Sequence, residues 1–180
     1  KWTNDWLNGD YECIFKSIEF NSFNAYEDNP WWLPDFYKIL FHRFPNAKFV
    51  LFQRNSDKWF DSMINHSAGK TLGNTKIHCK VYQRMNEFYN LLDHDHSFKP
   101  TELEIDNLMT ISSNKREHYK RIYNEYNRGV IEYFKKHCPT KLFVADLEDQ
   151  EKWKNLGNFL GVKVEDKLRI HANKSEIHIK

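Results

Sequence analysis

The sequence predicts an α/β protein with one parallel sheet flanked by helices. Three observations predict it. Two continuous apolar runs, Phe49-Val50-Leu51-Phe52 and Leu142-Phe143-Val144-Ala145, lack alternation, as strands covered on both faces of a parallel sheet do. The stretches around them carry apolar residues at helical spacing. Strand and helix patterns alternate along the chain, the order expected of a crossover-connected sheet. The 180 residues suit one domain with a full core.

Each element has its own justification. Residues 1–10 read as the end of a helix closing near Gly9. Ser22 to Tyr26 is a strand candidate that ends in the acidic pair Glu27 and Asp28. Pro30 and Pro34 bracket Trp31-Trp32 and introduce a helix from Asp35 to Phe44, with Phe36, Ile39, Leu40 and Phe44 at helical spacing. Pro45-Asn46 is a turn. The strand Ala47 to Gln53 follows. Asn55 or Ser56 can cap the next helix, which has Asp57 in its first turn and carries Trp59, Phe60 and Met63. Residues 65–115 are polar and weakly periodic, and read as helices joined by loops. Glu117 to His137 is a long amphipathic helix stopped by Cys138-Pro139-Thr140. Lys141 to Leu147 is the second clear strand. Asp149 opens a last helix through Trp153, Leu156, Phe159 and Leu160, closed by Gly161. All three strands are expected to be parallel members of one sheet.

Composition narrows the function classes. A net charge of +2 implies no strong polyanion-binding field, so no nucleic-acid partner is expected. No apolar run approaches the roughly 20 residues of a membrane span. Trp31, Trp32, Trp59 and Trp153 read as core or groove pieces. Cys13, Cys79 and Cys138 are widely spaced and odd in number, which reads as free thiols in a reducing compartment. With no signal peptide at the start, the expectation is a cytoplasmic protein.

The segment from Phe49 to Ser62 is where chemistry is expected. A buried strand delivers Arg54 at its C-terminal end, the edge at which open α/β sheets bind ligands. A helix starts at once, and free N–H groups at its start would favour an anion. Ser62 lies eight positions after Arg54, about two turns into the helix. A guanidinium and a hydroxyl could converge on one phosphate there. The opposing reading is structural: Arg54 pairs with Asp57 or Asp61, and Ser62 faces a neighbouring helix.

At these residues the chain resembles the sulfotransferases that use 3′-phosphoadenosine 5′-phosphosulfate as co-substrate. In that family an Arg and a Ser, eight positions apart on a strand–loop–helix, bind the donor's 3′-phosphate. Arg54 and Ser62 stand in that relation, within Phe44-Pro45-Asn46-Ala47-Lys48-Phe49-Val50-Leu51 and Asp57-Lys58-Trp59. Upstream, Phe23-Asn24-Ala25-Tyr26-Glu27-Asp28-Asn29-Pro30 is similar to the segment where an acidic residue and a proline close the preceding strand. Downstream, Tyr123 to Asn127, Val130, Tyr133-Phe134, Lys141 to Val144, Trp153, Leu156 and Phe159-Leu160-Gly161 resemble the closing helix, strand and helix. The resemblance spans most of residues 20–175. It implies an enzyme that moves a sulfuryl group to a hydroxyl or amine of a small molecule or glycan, with no metal. It implies a base on the segment before the Arg-bearing strand. Asp28 is the candidate, with Glu27 second; the competing role for Asp28 is N-cap of the helix after Pro30.

The chain also departs from the family pattern. The Gly- and Ser/Thr-rich phosphate loop after the first strand does not occur in the sequence. The expectation is therefore a single sulfotransferase-like domain over 1–180, of P-loop nucleotide-transferase architecture, with its N-terminal strand and phosphate loop absent and residues 65–115 inserted over the active site. Ala68-Gly69-Lys70-Thr71 ends like a phosphate loop, but Ile64 stands where the first Gly is needed and a helix precedes it. The Arg-Lys-Gly clamp of the best-known cytosolic branch is replaced by His171-Ala172-Asn173-Lys174-Ser175. Asp93-His94-Asp95-His96 has metal-ligand residue types but no second cluster, so a solvated loop is the expectation. Lys135-Lys136-His137 complements a helix C-terminus. Two other classes stay open: a non-catalytic domain that binds a nucleotide or partner on the same scaffold, and another P-loop transferase or nucleotide kinase.

Overall fold

The computed structural model describes residues 2–94 and 109–165. Asp95, His96 and the segment His171 to Ser175 lie outside the described residues. The chain divides into two compact, interleaved units. One comprises residues 1–45 and 70–110, the other residues 46–69 and 111–180.

The first unit is helical among its described residues. It contains α1 (Trp2–Asn8), α2 (Tyr11–Phe15), α3 (Ile18–Asn21), α4 (Phe36–Arg43), α6 (Thr75–Val81) and α7 (Met85–His94). Gly9 closes α1 at φ 81°, a backbone region where a side chain would be strained. Trp6, Ile14, Phe15, Leu33, Phe36, Ile77 and Val81 form its core. Aromatic rings dominate the packing: Phe15 stacks on Phe36 with centroids 6.1 Å apart, and Trp31 packs on Phe36 at 5.7 Å. Trp32, by contrast, is exposed, which corrects its reading as a core piece.

The strand expected at Ser22 to Tyr26 does not form. Its residues follow α3 as irregular chain. The Tyr26 hydroxyl turns back to the carbonyls of Phe20 and Phe23, and its ring stacks on Phe20 at 4.9 Å. These local bonds curl the segment, whereas a strand needs a ladder partner for its backbone groups. Phe23 is left exposed.

The second unit holds the sheet. Strands β1 (Phe49–Gln53) and β2 (Leu142–Asp146) pair in parallel, with Phe49 opposite Leu142 and Gln53 opposite Asp146. The crossover and the parallel sense agree with the sequence expectation. One face packs on α9 (Lys152–Leu160): Phe52 meets Trp153 at 5.5 Å and Phe143 meets Phe159 at 5.6 Å. The other face meets α8 (Arg116–His137), with Phe49 and Phe134 at 4.7 Å. Helix α5 (Ser56–Ser67) lies against α8 through Phe60 and Tyr119, both fully buried. The strands are less covered than their apolar runs suggest. Val50 and Val144 are exposed, and each strand of this pair is also an edge among the described residues.

Asp149 does not open the last helix. Its carboxylate accepts from the Glu151 N–H at 2.9 Å, building a turn one step before α9. Gly161 ends α9 in a left-handed cap at φ 77°, as its position after the last apolar residue predicts. No described helix is long and apolar enough to cross a membrane.

Candidate active site

Arg54 follows the last residue of β1. The ladder ends at Gln53, whose carbonyl accepts from the Leu147 N–H at 2.7 Å. Arg54 therefore has no strand to satisfy its backbone. Tyr123 of α8 supplies both partners instead: the Arg54 N–H donates to Tyr123 Oη at 3.0 Å, and that hydroxyl donates to the Arg54 carbonyl at 3.3 Å. The Tyr123 ring lies nearly parallel to Trp59, 18° and 4.3 Å centroid to centroid.

The Arg54 side chain is half-buried, and its Nε is buried with no hydrogen-bond partner among the described residues. The carboxylates that could have paired with it are engaged elsewhere. Asp61 Oδ1 binds Arg116 Nη2 at 2.5 Å. Asp57 Oδ1 binds Lys120 Nζ at 2.9 Å and Arg116 Nη1 at 3.5 Å. The bond from Lys120, with the charges of Lys120 and Arg116 beside it, holds the Asp57 carboxyl below the usual carboxylate range. In return Asp61 raises Arg116 and Asp57 raises Lys120. The guanidinium of Arg116 also covers the Phe60 ring at 4.8 Å. The pairing of Arg54 with Asp57 or Asp61, open on sequence grounds, is thus not the one adopted.

Ser62 sits half-buried in the second turn of α5. It shares a unit and consecutive elements with Arg54. The start of α5 differs from the expectation of free N–H groups. Asn55 caps it, its Oδ1 accepting from the Asp57 and Lys58 N–H groups at 3.0 and 3.3 Å. Two of the first N–H groups of the helix are therefore already satisfied.

Asp28 lies in the other unit and is not at a strand end. It occupies a turn at φ 61°, with its carbonyl accepting from the Trp31 N–H at 2.9 Å. Its side chain is exposed, as is that of Glu27. Helix α4 begins at Phe36 with Asp35 at its N-cap position, so Asp28 caps no helix.

A polar cluster in the first unit was not legible beforehand. Arg84 is buried and forks onto Glu87, Nε to Oε1 at 3.1 Å and Nη2 to Oε2 at 2.7 Å, while Nη1 and Nη2 reach the Thr110 carbonyl at 3.3 Å. Burial, with Arg84 nearby, pushes the His78 imidazole down to about 3. Burial raises the Cys79 thiol to about 11, and its Sγ lies 3.3 Å from Met109 Sδ. A thiol so protonated is a poor nucleophile. Thr71, the last residue of the phosphate-loop decoy, is buried with its hydroxyl 3.0 Å from that of Thr75. Among the described residues no group of three or more His, Cys, Asp or Glu could hold a metal ion.

The residues missed from sequence were Tyr123, which bonds the Arg54 backbone, and Arg116 and Lys120, which hold Asp61 and Asp57. Their spacing on α8 puts them on one helix face, which was the available signal. A family model described as a sulfotransferase domain matches residues 15–177 of the chain. No curated protein matches the chain.

Proposed function

Because the chain belongs to the sulfotransferase-domain family, whose chemistry is sulfuryl transfer, we propose that its donor is 3′-phosphoadenosine 5′-phosphosulfate and that Arg54 and Ser62 bind the donor's 3′-phosphate. The acceptor is a hydroxyl or amine of a small molecule or glycan. The observation that carries this reading is the unpartnered Nε of Arg54. A buried donor without a partner costs on the order of 1–3 kcal/mol, and an anionic ligand would remove that cost. Asp57 and Asp61, the carboxylates that follow Arg54 most closely in sequence, are held by Lys120 and Arg116.

In the transfer, the acceptor's oxygen or nitrogen forms a bond to sulfur as the bond from sulfur to the 5′-phosphate oxygen breaks. The nucleotide leaves as adenosine 3′,5′-bisphosphate, and the acceptor's proton goes to a base. Asp28 is proposed for that base on the family resemblance alone, in which the base lies on the segment before the Arg-bearing strand. Arg54 contributes binding and orientation of the nucleotide, which is most of what such a transfer asks of a protein.

Titration calorimetry with adenosine 3′,5′-bisphosphate and 5′-AMP tests the reading. The protein should prefer the bisphosphate by about tenfold or more, since charge-assisted bonds contribute ~1.5–3 kcal/mol each. Arg54→Ala should abolish most of that preference, and Arg54→Lys should not restore it, because an ammonium lacks the planar fork. Ser62→Ala should cost less, as it removes a neutral donor. Equal affinity for both nucleotides in the unmutated protein would overturn the assignment. Nucleotide preference without turnover would favour a binding domain on the same scaffold.

A further inference from the structure

We propose that Tyr123 is a positioning residue for Arg54, setting the backbone from which the guanidinium is presented to its anion; this rests on the reading of Arg54 given above. A residue just beyond a strand normally leaves its N–H and C=O to water. Arg54 instead has both bonded to one hydroxyl, at 3.0 and 3.3 Å. That hydroxyl is both acceptor and donor, so it closes a ring around the residue and restricts both flanking dihedrals. The ring behind it is braced by Trp59, in the first turn of the helix that carries Ser62. Tyr123 thereby ties the end of β1, the start of α5 and the middle of α8 to one another at the position of Arg54.

Helix glue alone would not need this arrangement. Phe60 and Tyr119 already pack α5 on α8 in the core, and the Asp57, Asp61, Arg116 and Lys120 network joins the same two helices at the surface. What the Tyr123 hydroxyl adds is confined to Arg54. The long arginine side chain loses several rotatable bonds of freedom on binding. Fixing its backbone in advance lowers the entropy to be lost and aims the fork.

The test is Tyr123→Phe, which keeps the ring on Trp59 and removes only the hydroxyl. The affinity for adenosine 3′,5′-bisphosphate should fall about three- to tenfold, the effect of losing two backbone bonds of ordinary strength, while that for 5′-AMP stays unchanged. In an Arg54→Ala background the same substitution should have no further effect on bisphosphate affinity. An undiminished preference in Tyr123→Phe, with the unmutated protein still preferring the bisphosphate, would overturn the positioning role and leave Arg54 in place. Absence of preference in the unmutated protein would instead overturn the donor assignment. Should Tyr123→Phe be recovered only unfolded, amide exchange at Arg54 in the unmutated protein reads the same bond. Strong protection is expected, and exchange at the rate of an open loop would overturn the proposal.

Discussion

Arg116 holds the carboxylate of Asp61, Nη2 to Oδ1 at 2.5 Å, across the interface between α8 and α5. Asp61 directly precedes Ser62 in sequence, yet neither partner of this pair is proposed to touch the ligand. Their pairing occupies the Asp61 carboxylate, while the Arg54 Nε has no hydrogen-bond partner among the described residues. Exposed ion pairs contribute little to stability, so the expected effect of breaking this one lies in binding.

Arg116→Ala should release Asp61 and weaken the hold on Asp57. The freed carboxylates then compete with a phosphate for Arg54. Affinity for adenosine 3′,5′-bisphosphate should fall by about threefold at low salt, with a smaller difference at high salt, where exposed charges are screened within a few ångströms. Calorimetry at two ionic strengths measures it. A loss that is independent of salt would mean that Arg116 acts through packing on Phe60.

Asp28→Asn separates chemistry from binding. If Asp28 accepts the acceptor's proton, turnover should fall by about two to four orders of magnitude, while calorimetry shows nucleotide affinity unchanged. Glu27→Gln should have a minor effect. Full turnover in Asp28→Asn would remove Asp28 from the mechanism and direct attention to Glu27.

His78 predicts an acid-side weakness. Its folded pKa of about 3 lies below the ordinary 6.5, so the unfolded chain binds the extra proton. Stability from this group is complete above pH 6.5 and is lost progressively as the pH falls toward 3. The loss should be on the order of 1–2 kcal/mol by about pH 5. Urea midpoints at neutral and mildly acid pH should diverge for the unmutated protein and converge for His78→Gln. Equal slopes in both would show that His78 does not titrate on unfolding.

The elements that could be read from sequence are those whose signal is local. The unalternating runs of β1 and β2 and the periodicity of α8 each sit within one segment, and each was found within one or two residues of its bounds. Ser22 to Tyr26 misled because a short apolar-flanked stretch specifies no partner, and the Tyr26 hydroxyl found nearer acceptors in Phe20 and Phe23. The polar middle reads as helices joined by loops, and α6 and α7 are such helices. Their bounds were not legible because part of what is buried there is polar: Thr75 and His78 in α6 and Arg84 just before α7 are as inaccessible as the apolar residues beside them. The spacing of Arg54 and Ser62 was legible. That the Arg54 Nε has no partner among the described residues was not, since the carboxylates nearest to it in sequence are taken by Arg116 and Lys120, brought in from a helix far along the chain.

The parallel register of β1 and β2 has a kinetic consequence. Phe49 pairs with Leu142 and Gln53 with Asp146, so everything from Arg54 to Lys141 must be looped out before one rung of the ladder can close. Such long-range closures come late in folding, after local helices have formed. The peptide from Phe49 to Ser62 cut from the chain would keep the recognisable residues without Tyr123, Arg116 or Lys120 to hold them apart. Its arginine would be free to meet its own aspartates. On the reading of Arg54 proposed above, anion binding at this position would belong to the assembled unit, and a transplanted segment is expected not to carry it.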